Sequence, residues 1–378
     1  MTGNAQPRNN ALVRAGARVT VRQRPTPVPA AGELVVATEV AGLCGTDIQI
    51  LRGSRKESAS VLGHEGIATV VSVGEGIRDS FSPGDAVVIN PTHPNDPGFL
   101  LGHNVDGLLQ RRTLVPATAI RAGLVLGLDR RPEAELAALV EPLAVVNYAL
   151  RALSRFRPST LLVVGDGTIG QLAVRSAARW ATTVKRTVLV HHGESGRQWT
   201  LRSGLPPDDS LVDGEDMTGM LREGPVGVLL ATPRESTGPC LERVLRSVGD
   251  GSVIDVIGGV PPGLTVKSLP GTDLAGIRAA NLAGRPDVPL TAERTATTGS
   301  RINLFGHRGV SNAHLGTAVS ELVRSPERYR ELITHIGDLE YASRIMSDLA
   351  RGNERIADGR RVIKLAVRVT PTCRKGDD

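Results

Sequence analysis

Aromatic side chains are scarce: two Trp, three Tyr and four Phe make up 2% of the 378 residues. A surface that stacks nucleic-acid bases combines aromatic platforms with a basic groove, so this poverty weighs against nucleic acid as a partner. Cysteine is scarcer still. Cys44, Cys240 and Cys373 are too few and too far apart for a disulfide framework in a chain this long, and the expected compartment is reducing and cytoplasmic. No apolar run approaches the roughly 20 residues that a membrane-spanning helix needs. The start, Met1-Thr2-Gly3-Asn4-Ala5-Gln6, lacks the apolar centre of a signal peptide. No membrane is therefore expected among the partners.

The bulk composition is that of a globular protein, 40% hydrophobic and 22% charged with a mean hydropathy of −0.06. A length of 378 residues exceeds what one ordinary core serves and predicts two domains. The net charge of +6 and pI near 9.6 would suit a polyanion if the basic residues formed a stripe. They are instead scattered, with short doublets at Arg111-Arg112, Arg130-Arg131 and Arg360-Arg361. A small anionic cofactor or substrate accounts for part of the excess.

The first third reads as β-rich. Ala11 to Thr20, Gly32 to Val40, Ile67 to Val73 and Ala86 to Ile89 are strand candidates, broken by proline- and glycine-rich turns, a spacing that predicts a barrel-like domain. At Pro132 the texture turns helical, and from Ser159 strand and helix alternate. Strands are expected at Thr160 to Val164, Thr187 to His191, Val226 to Ala231 and Gly251 to Ile257, which predicts a parallel α/β sheet. Residues 262–300 read as a long, partly helical excursion of the kind that forms a lid or a contact surface. Helices return at Ala313 to Val323 and Glu340 to Ala350, and Arg361 to Val369 is a last strand. Thr370 to Asp378 read as disordered, with Cys373 an exposed thiol.

One stretch organises the rest. Leu161 to Val164 is a continuous apolar run, as a buried parallel strand requires, and it meets Gly165-Asp166-Gly167-Thr168-Ile169-Gly170 at the start of a helix. The spacing is G-x-G-x-x-G. Its first glycine serves a tight turn, its second the close approach of a pyrophosphate, and its third the packing of helix on strand, while the helix start offers free N–H groups to the phosphates. Gly165, Gly167, Thr168, Ile169 and Gly170 are thus candidate cofactor contacts.

Three residues far apart in sequence are candidate metal ligands: Cys44, His64 and Glu141. A catalytic zinc takes three protein ligands of these kinds and keeps a position open. Singly, each has a plainer reading as a buried thiol, a core histidine or a helix cap. Together with the glycine turn they make the chain resemble the zinc-dependent medium-chain dehydrogenase/reductase superfamily, of alcohol and polyol dehydrogenase type. The resemblance rests on Gly42-Leu43-Cys44-Gly45-Thr46-Asp47, Gly63-His64-Glu65-Gly66, Ser82-Pro83-Gly84-Asp85-Ala86-Val87, Val140-Glu141-Pro142-Leu143-Ala144, Gly165 to Gly170 and Leu332-Ile333-Thr334-His335.

The resemblance implies an α/β protein with a chaperonin-10-like β-rich catalytic domain over 1–150 and 301–378, and a doubly wound Rossmann domain over 151–300. It makes Cys44, His64 and Glu141 the zinc ligands and Asp47 the carboxylate that orients His64. Glu65 would exchange with water or enter the metal's coordination, and Thr46 would take the substrate proton. The implied activity is hydride transfer between a nicotinamide cofactor and the secondary alcohol or ketone of a polyol, sugar or cyclitol. Homodimers or homotetramers are usual for such proteins. Two alternatives stay open: an NADPH-dependent reductase of a C=C bond in an enone, and a dinucleotide-binding sensor without catalysis.

The chain departs from the pattern in four places. Ile48-Gln49-Ile50 stands where many members carry a relay histidine, and Gln49 cannot titrate. Pro91 to His103 contains no cysteine, so the usual structural zinc lobe is absent; His93, Asp96 and His103 there form either a weak metal site or a solvated loop. The expected second Rossmann strand ends in His191-His192 instead of the acid that binds ribose hydroxyls, with Arg197 following. That favours NADP(H), whose 2′-phosphate Arg197 can pair, over NAD(H), for which Glu194 would have to substitute. Last, Arg278, Asn281, Arg301, Asn303, His307, Arg308 and Asn312 gather in sequence around the long excursion, where they would grip hydroxyls or a phosphate, or line an exposed interface.

Overall fold

The computed structural model describes residues 8–221 and 224–370, so the expectations for 371–378 and Cys373 lie outside the described residues. The chain opens with β1 (Asn9–Ala15) and β2 (Arg18–Arg24), an antiparallel hairpin. Ala11 to Thr20, one strand on sequence grounds, is two, because Gly16-Ala17 reverses the chain between them. Then come β3 (Leu34–Gly42), α1 (Gly45–Leu51), β4 (Glu65–Val73), β5 (Ala86–Ile89), β6 (Arg112–Val115), α2 (Ala117–Arg121) and β7 (Val125–Gly127). After α3 (Val140–Ser154) strands and helices alternate: β8 (Thr160–Val164), α4 (Thr168–Trp180), β9 (Arg186–His191), α5 (Glu194–Leu201), β10 (Asp209–Val212), β11 (Val226–Leu230), α6 (Thr237–Ser247) and β12 (Val253–Asp255). Next follow α7 (Leu274–Ala279), β13 (Ala292–Thr295), β14 (Arg301–Phe305) and α8 (Asn312–Arg324). The chain closes through β15 (Ile333–Gly337), α9 (Leu339–Arg351), β16 (Ile356–Ala357), β17 (Arg360–Arg361) and β18 (Lys364–Arg368).

Two compact units result, one of Met1–Glu141 with Leu315–Asp378 and one of Pro142–His314. The first carries a sheet ordered β15-β18-β3-β4-β5-β7, with β6 also on β3. Its apolar faces close over Leu12, Leu34, Val36, Leu62, Val87 and Leu365, with Ile345, Met346 and Leu349 of α9 covering one side. The second carries the order β10-β9-β8-β11-β12-β14-β13, parallel except for the last pair. This is the doubly wound Rossmann order, which reverses between β8 and β11. Its strands are buried on both faces and are accordingly runs of Val, Leu and Ile. Cys240, Leu241, Val244 and Leu245 make the inward stripe of α6. The excursion over 262–300 is less irregular than its glycines and prolines suggest: β13 lies within it and extends the sheet beside β14.

The helical stretch Glu135–Ser154 is apolar and long enough to cross a membrane by length and composition, contrary to the impression its sequence makes, and most of it is buried inside the protein. Its apolar residues serve the core.

Beneath the second unit's sheet, Tyr148 of α3 meets His307 and His314 edge-on at 4.7 and 4.9 Å. His314 is buried, its Nδ1 lying 2.7 Å from Ser311 Oγ. Burial dominates its titration and lowers its pKa from 6.5 to about 4, against Asp287, with Arg151 and His307 adding to the decrease. The unfolded chain therefore binds a proton here between those values while the folded chain does not. Acidification through that window is expected to destabilise the fold by on the order of 1–3 kcal/mol. His314→Gln should flatten the fall of Tm over the same window; a fall as steep as that of the parent would count against this assignment.

Candidate active site

The site begins where β3 ends. That strand is buried and apolar along most of its length and gives way at Leu43-Cys44 to the start of α1. A capping box holds the start. Cys44 Sγ accepts from the Thr46 amide at 3.5 Å, and the Asp47 carboxylate accepts from the Cys44 amide at 3.0 Å. Thiol and acid are thereby set side by side, and the half-buried Thr46 hydroxyl lies 3.5 Å from the same sulfur. His64 arrives on the residue before β4, and Glu65, which opens β4, is in register with Gly42 of β3. Antiparallel pairing of these two strands is what joins the motifs. Cys44, His64 and Glu65 each place a ligand atom within 4.8 Å of the others, and among the described residues no other group of this kind forms.

The electrostatics are those of crowded anions. Burial opposes a charge on His64, but the hydrogen bond and charge of Cys44, followed by Asp47 and Glu65, outweigh it and raise the ring from 6.5 to about 10. Asp47 is fully buried, and burial raises its carboxyl above 3.8 against the pull of His64. Its Oδ1 stands 3.9 Å from His64 Nδ1, and neither atom has a hydrogen-bond partner. Glu141, on the first turn of α3, is pushed from 4.5 to about 7, chiefly by burial, with Glu65 adding to the rise and His64 and Lys364 opposing it. Glu141 thus senses the cluster without belonging to the group of three.

Lys364 escaped the reading of the sequence. It is fully buried in β18, donates to Leu43 O at 3.1 Å and makes an ion pair with the Glu65 carboxylate. The signal was present: Val362-Ile363-Lys364-Leu365-Ala366-Val367 puts one ammonium inside an apolar strand, and a buried lysine needs a partner. A second neighbour is His103, whose buried ring lies 4.9 Å from that of His64 and whose Nδ1 is 3.5 Å from Glu57. His93 serves its own turn, accepting from the Asn95 and Asp96 amides at 3.1 and 2.8 Å. No metal-binding group joins His93, Asp96 and His103 among the described residues. Gln49 is half-buried in α1.

In the second unit the glycine turn follows β8 directly. Gly165 has φ +110°, and a Cβ there would strike the Ala231 carbonyl oxygen; one on Gly170 would strike the Gly165 carbonyl oxygen. These two are demanded by the backbone. Gly167, the N-cap of α4, is different: no atom lies within 4 Å of where its Cβ would be. Thr168 and Ile169 begin the helix beside that opening, both half-buried. His191 is fully buried, with Nδ1 3.1 Å from Asp166 and Nε2 3.3 Å from Ser210 Oγ. His192 is exposed. Arg197 pairs with Glu194 at 2.9 Å and Glu215 at 3.6 Å.

The polar residues around the excursion come together only in part, the Arg308 amide donating to Asn281 O at 3.0 Å. Arg301 opens β14 and pairs with Asp250 at 3.0 Å, whereas His307 follows the strand's other end, 3.3 Å from the buried Asp255. Asn281 is fully buried and spent on the backbone, donating to Leu290 O and Gly306 O at 3.0 and 2.9 Å and accepting from the Leu290 amide at 2.7 Å. Arg278 donates to Ile257 O at 3.4 Å, Arg308 is exposed, and Asn303 and Asn312 are half-buried.

Comparison with known proteins adds a family. Residues 30–121 match the alcohol dehydrogenase GroES-like domain. A glucose 1-dehydrogenase of Thermoproteus tenax is 30% identical over 174 residues, 40% of this chain and 49% of that protein. A sorbitol dehydrogenase of Halalkalibacterium halodurans is 29% identical over 180 residues, 43% of this chain and 51% of that protein. The chain thus aligns with about half the length of each of these relatives. A Sinorhizobium meliloti protein assigned as a zinc-binding dehydrogenase, solved with NADP, shares the fold. Its TM-score is 0.70 at 18% identity, with 96% of this chain and 99% of that one covered.

Proposed function

The chain belongs to the zinc-dependent medium-chain dehydrogenase/reductase superfamily, and from that premise we propose that it oxidises a secondary alcohol, or reduces the matching ketone, of a polyol, sugar or cyclitol. The observation that carries the reading is the convergence of Cys44, His64 and Glu65 beside the Thr46 hydroxyl. The donor set suits zinc. Thiolate, imidazole and carboxylate are its usual ligands, and His64 Nδ1 is buried beside them without a hydrogen-bond partner. Cys44, His64 and Glu141 would hold the ion, with Glu65 close enough to take a place beside them. Bound there, zinc supplies the Lewis acidity that favours an alkoxide over an alcohol, and a nicotinamide dinucleotide supplies or accepts the hydride.

The protein's own groups do the rest. Thr46 Oγ1 takes the hydroxyl proton of the substrate and passes it outward. Asp47 faces His64 Nδ1 and orients the ring, as a carboxylate beside a ligating imidazole does. Lys364 restrains Glu65. The start of α4, beside the open space at Gly167, offers N–H groups to the pyrophosphate. NADP(H) is the favoured cofactor, because β9 ends without an acid and Arg197 stands on the first turn of α5. The pairing of Arg197 with Glu194 and Glu215 supports NAD(H) as a second reading.

Gly167→Ala tests the dinucleotide site. The open space around Gly167 predicts a variant that folds as the parent does, with NADPH and NADH bound at least about tenfold more weakly, a loss of about 1.4 kcal/mol. Fluorescence titration of the reduced cofactors reads this directly. Undiminished affinity would remove the glycine turn from the site. Product analysis with a ketone and its matching enone tests the reaction: reduction of the C=C bond alone would replace the proposed activity with enone reduction.

A further inference from the structure

His103 closes the segment in which the structural zinc lobe is absent, and it has no part in the ligand set described above. It lies between β5 and β6 in a turn that begins at Leu100, where the His103 amide donates to Leu100 O at 3.0 Å. Turn and His64 segment are laced together through the backbone. The Gly107, Leu108 and Leu109 amides donate to Val61 O, Gly63 O and Leu62 O at 2.8, 2.8 and 3.0 Å, and the Ala59 amide donates to His103 O at 2.8 Å. The approach is close: a Cβ on Gly107 would strike the Gly63 carbonyl oxygen. The turn that carries His103 is thus fixed against the residues that deliver His64.

The side chain completes the contact. The rings of His103 and His64 are both buried, with centroids 4.9 Å apart and planes inclined at 42°. Glu57 Oε1 lies 3.5 Å from His103 Nδ1 and accepts from Arg55 Nη2 at 3.1 Å. The carboxylate that faces His103 is therefore itself tethered. On His64, Asp47 Oδ1 stands 3.9 Å from Nδ1, farther than a hydrogen bond reaches. A charge at that distance draws one nitrogen toward it but leaves the tilt of the ring to whatever packs against it. The direction of an imidazole lone pair follows that tilt.

We propose that His103 is a positioning residue for the metal centre: its ring, braced by Glu57, fixes the tilt of His64 and so keeps the ligating nitrogen within reach of Cys44 Sγ and the Glu65 carboxylate. The inference rests on the metal reading above and adds to it a support from outside the ligand motifs. Groups that orient a metal's ligands commonly hold them by hydrogen bonds. Here the support is a packed ring, so another flat ring of similar size serves in its place.

The test is the zinc affinity of the full chain, read by competition with a chromophoric chelator, with melting of the metal-free proteins measured alongside. His103→Ala is expected to weaken zinc at least about tenfold, as losing a residue that orients a metal ligand does. His103→Phe, which keeps a ring against His64, should stay within about threefold of the wild type. Glu57→Ala should weaken zinc by about threefold in the wild type and cause no further loss in the His103→Phe background, where no ring N–H remains for the carboxylate to hold. A merely structural histidine lowers the Tm of the metal-free protein and leaves zinc affinity unchanged. Undiminished affinity in His103→Ala therefore overturns the inference while the metal reading stands. So does a loss in His103→Phe as large as that in His103→Ala, which would make the imidazole itself a ligand. A wild type that takes up no zinc overturns the metal reading and the inference with it.

Discussion

Cys44→Ser is expected to strip the protein of its metal and its turnover while leaving cofactor affinity almost untouched. The wild type should carry about one zinc per chain, the single ion that a three-ligand site holds, and the variant a small fraction of that after dialysis. The reasoning starts from the capping box. Cys44 Sγ accepts from the Thr46 amide at 3.5 Å, and a serine hydroxyl can cap α1 in its place, so the helix should persist. The thiolate is a different matter. Removing even a partner outside the ligands of a metal site costs about 10–100-fold in affinity or activity, and a direct ligand is expected to cost at least about 100-fold in kcat/KM. The dinucleotide groups, Gly165 to Gly170, lie in the other unit, so NADPH affinity should change by less than about threefold. Metal analysis, cofactor titration and kcat/KM on a polyol panel separate the outcomes. Full zinc in the variant would return Cys44 to a helix cap and no more; loss of cofactor binding together with zinc would point to misfolding.

What could be read in the sequence follows from how local each feature is. The glycine turn was legible because Gly165, Gly167 and Gly170 act within one strand–helix junction, and the structure requires the outer two for the backbone. Cys44 and Asp47 share one helix start, but the capping box that sets them side by side was not read from the sequence, and their roles came from the family resemblance. His64 and Glu65 reach Cys44 only through the register of β3 with β4, so their meeting had to come from family resemblance. Lys364 was harder again. Its partner depends on β18 lying antiparallel to β3, with Ala366 opposite Gly42, a pairing between the two ends of the chain that no local pattern reveals. The polar residues near the excursion misled in the opposite direction. Arg301 opens β14 and His307 lies just past its far end, so residues close in sequence stand up to about 20 Å apart at about 3.3 Å per residue. β13 was hidden because an edge strand exposed along most of its length shows little alternation.

The buried pair of Lys364 and Glu65 yields the largest effect expected on stability. Lys364 is fully buried and Glu65 almost so. Taking two charges out of water costs several kcal/mol each, and their attraction offsets this only while both are present. Lys364→Met removes the ammonium, keeps the length of the stem and leaves the carboxylate among Cys44, Asp47 and Glu141. The expected cost is about 3–5 kcal/mol, or a Tm lower by on the order of 10 °C for units of this size. Lys364→Met combined with Glu65→Gln should recover more than half of the loss, because a neutral amide no longer needs the ammonium. Metal adds a second discriminator. Zinc beside Glu65 would give the carboxylate another cation, so the Tm loss of Lys364→Met should be smaller in zinc-loaded protein than after chelation. An equal loss in both would place the lysine's role in packing alone, through Leu43 O and the surrounding strand. A loss that the double variant does not reduce would point the same way.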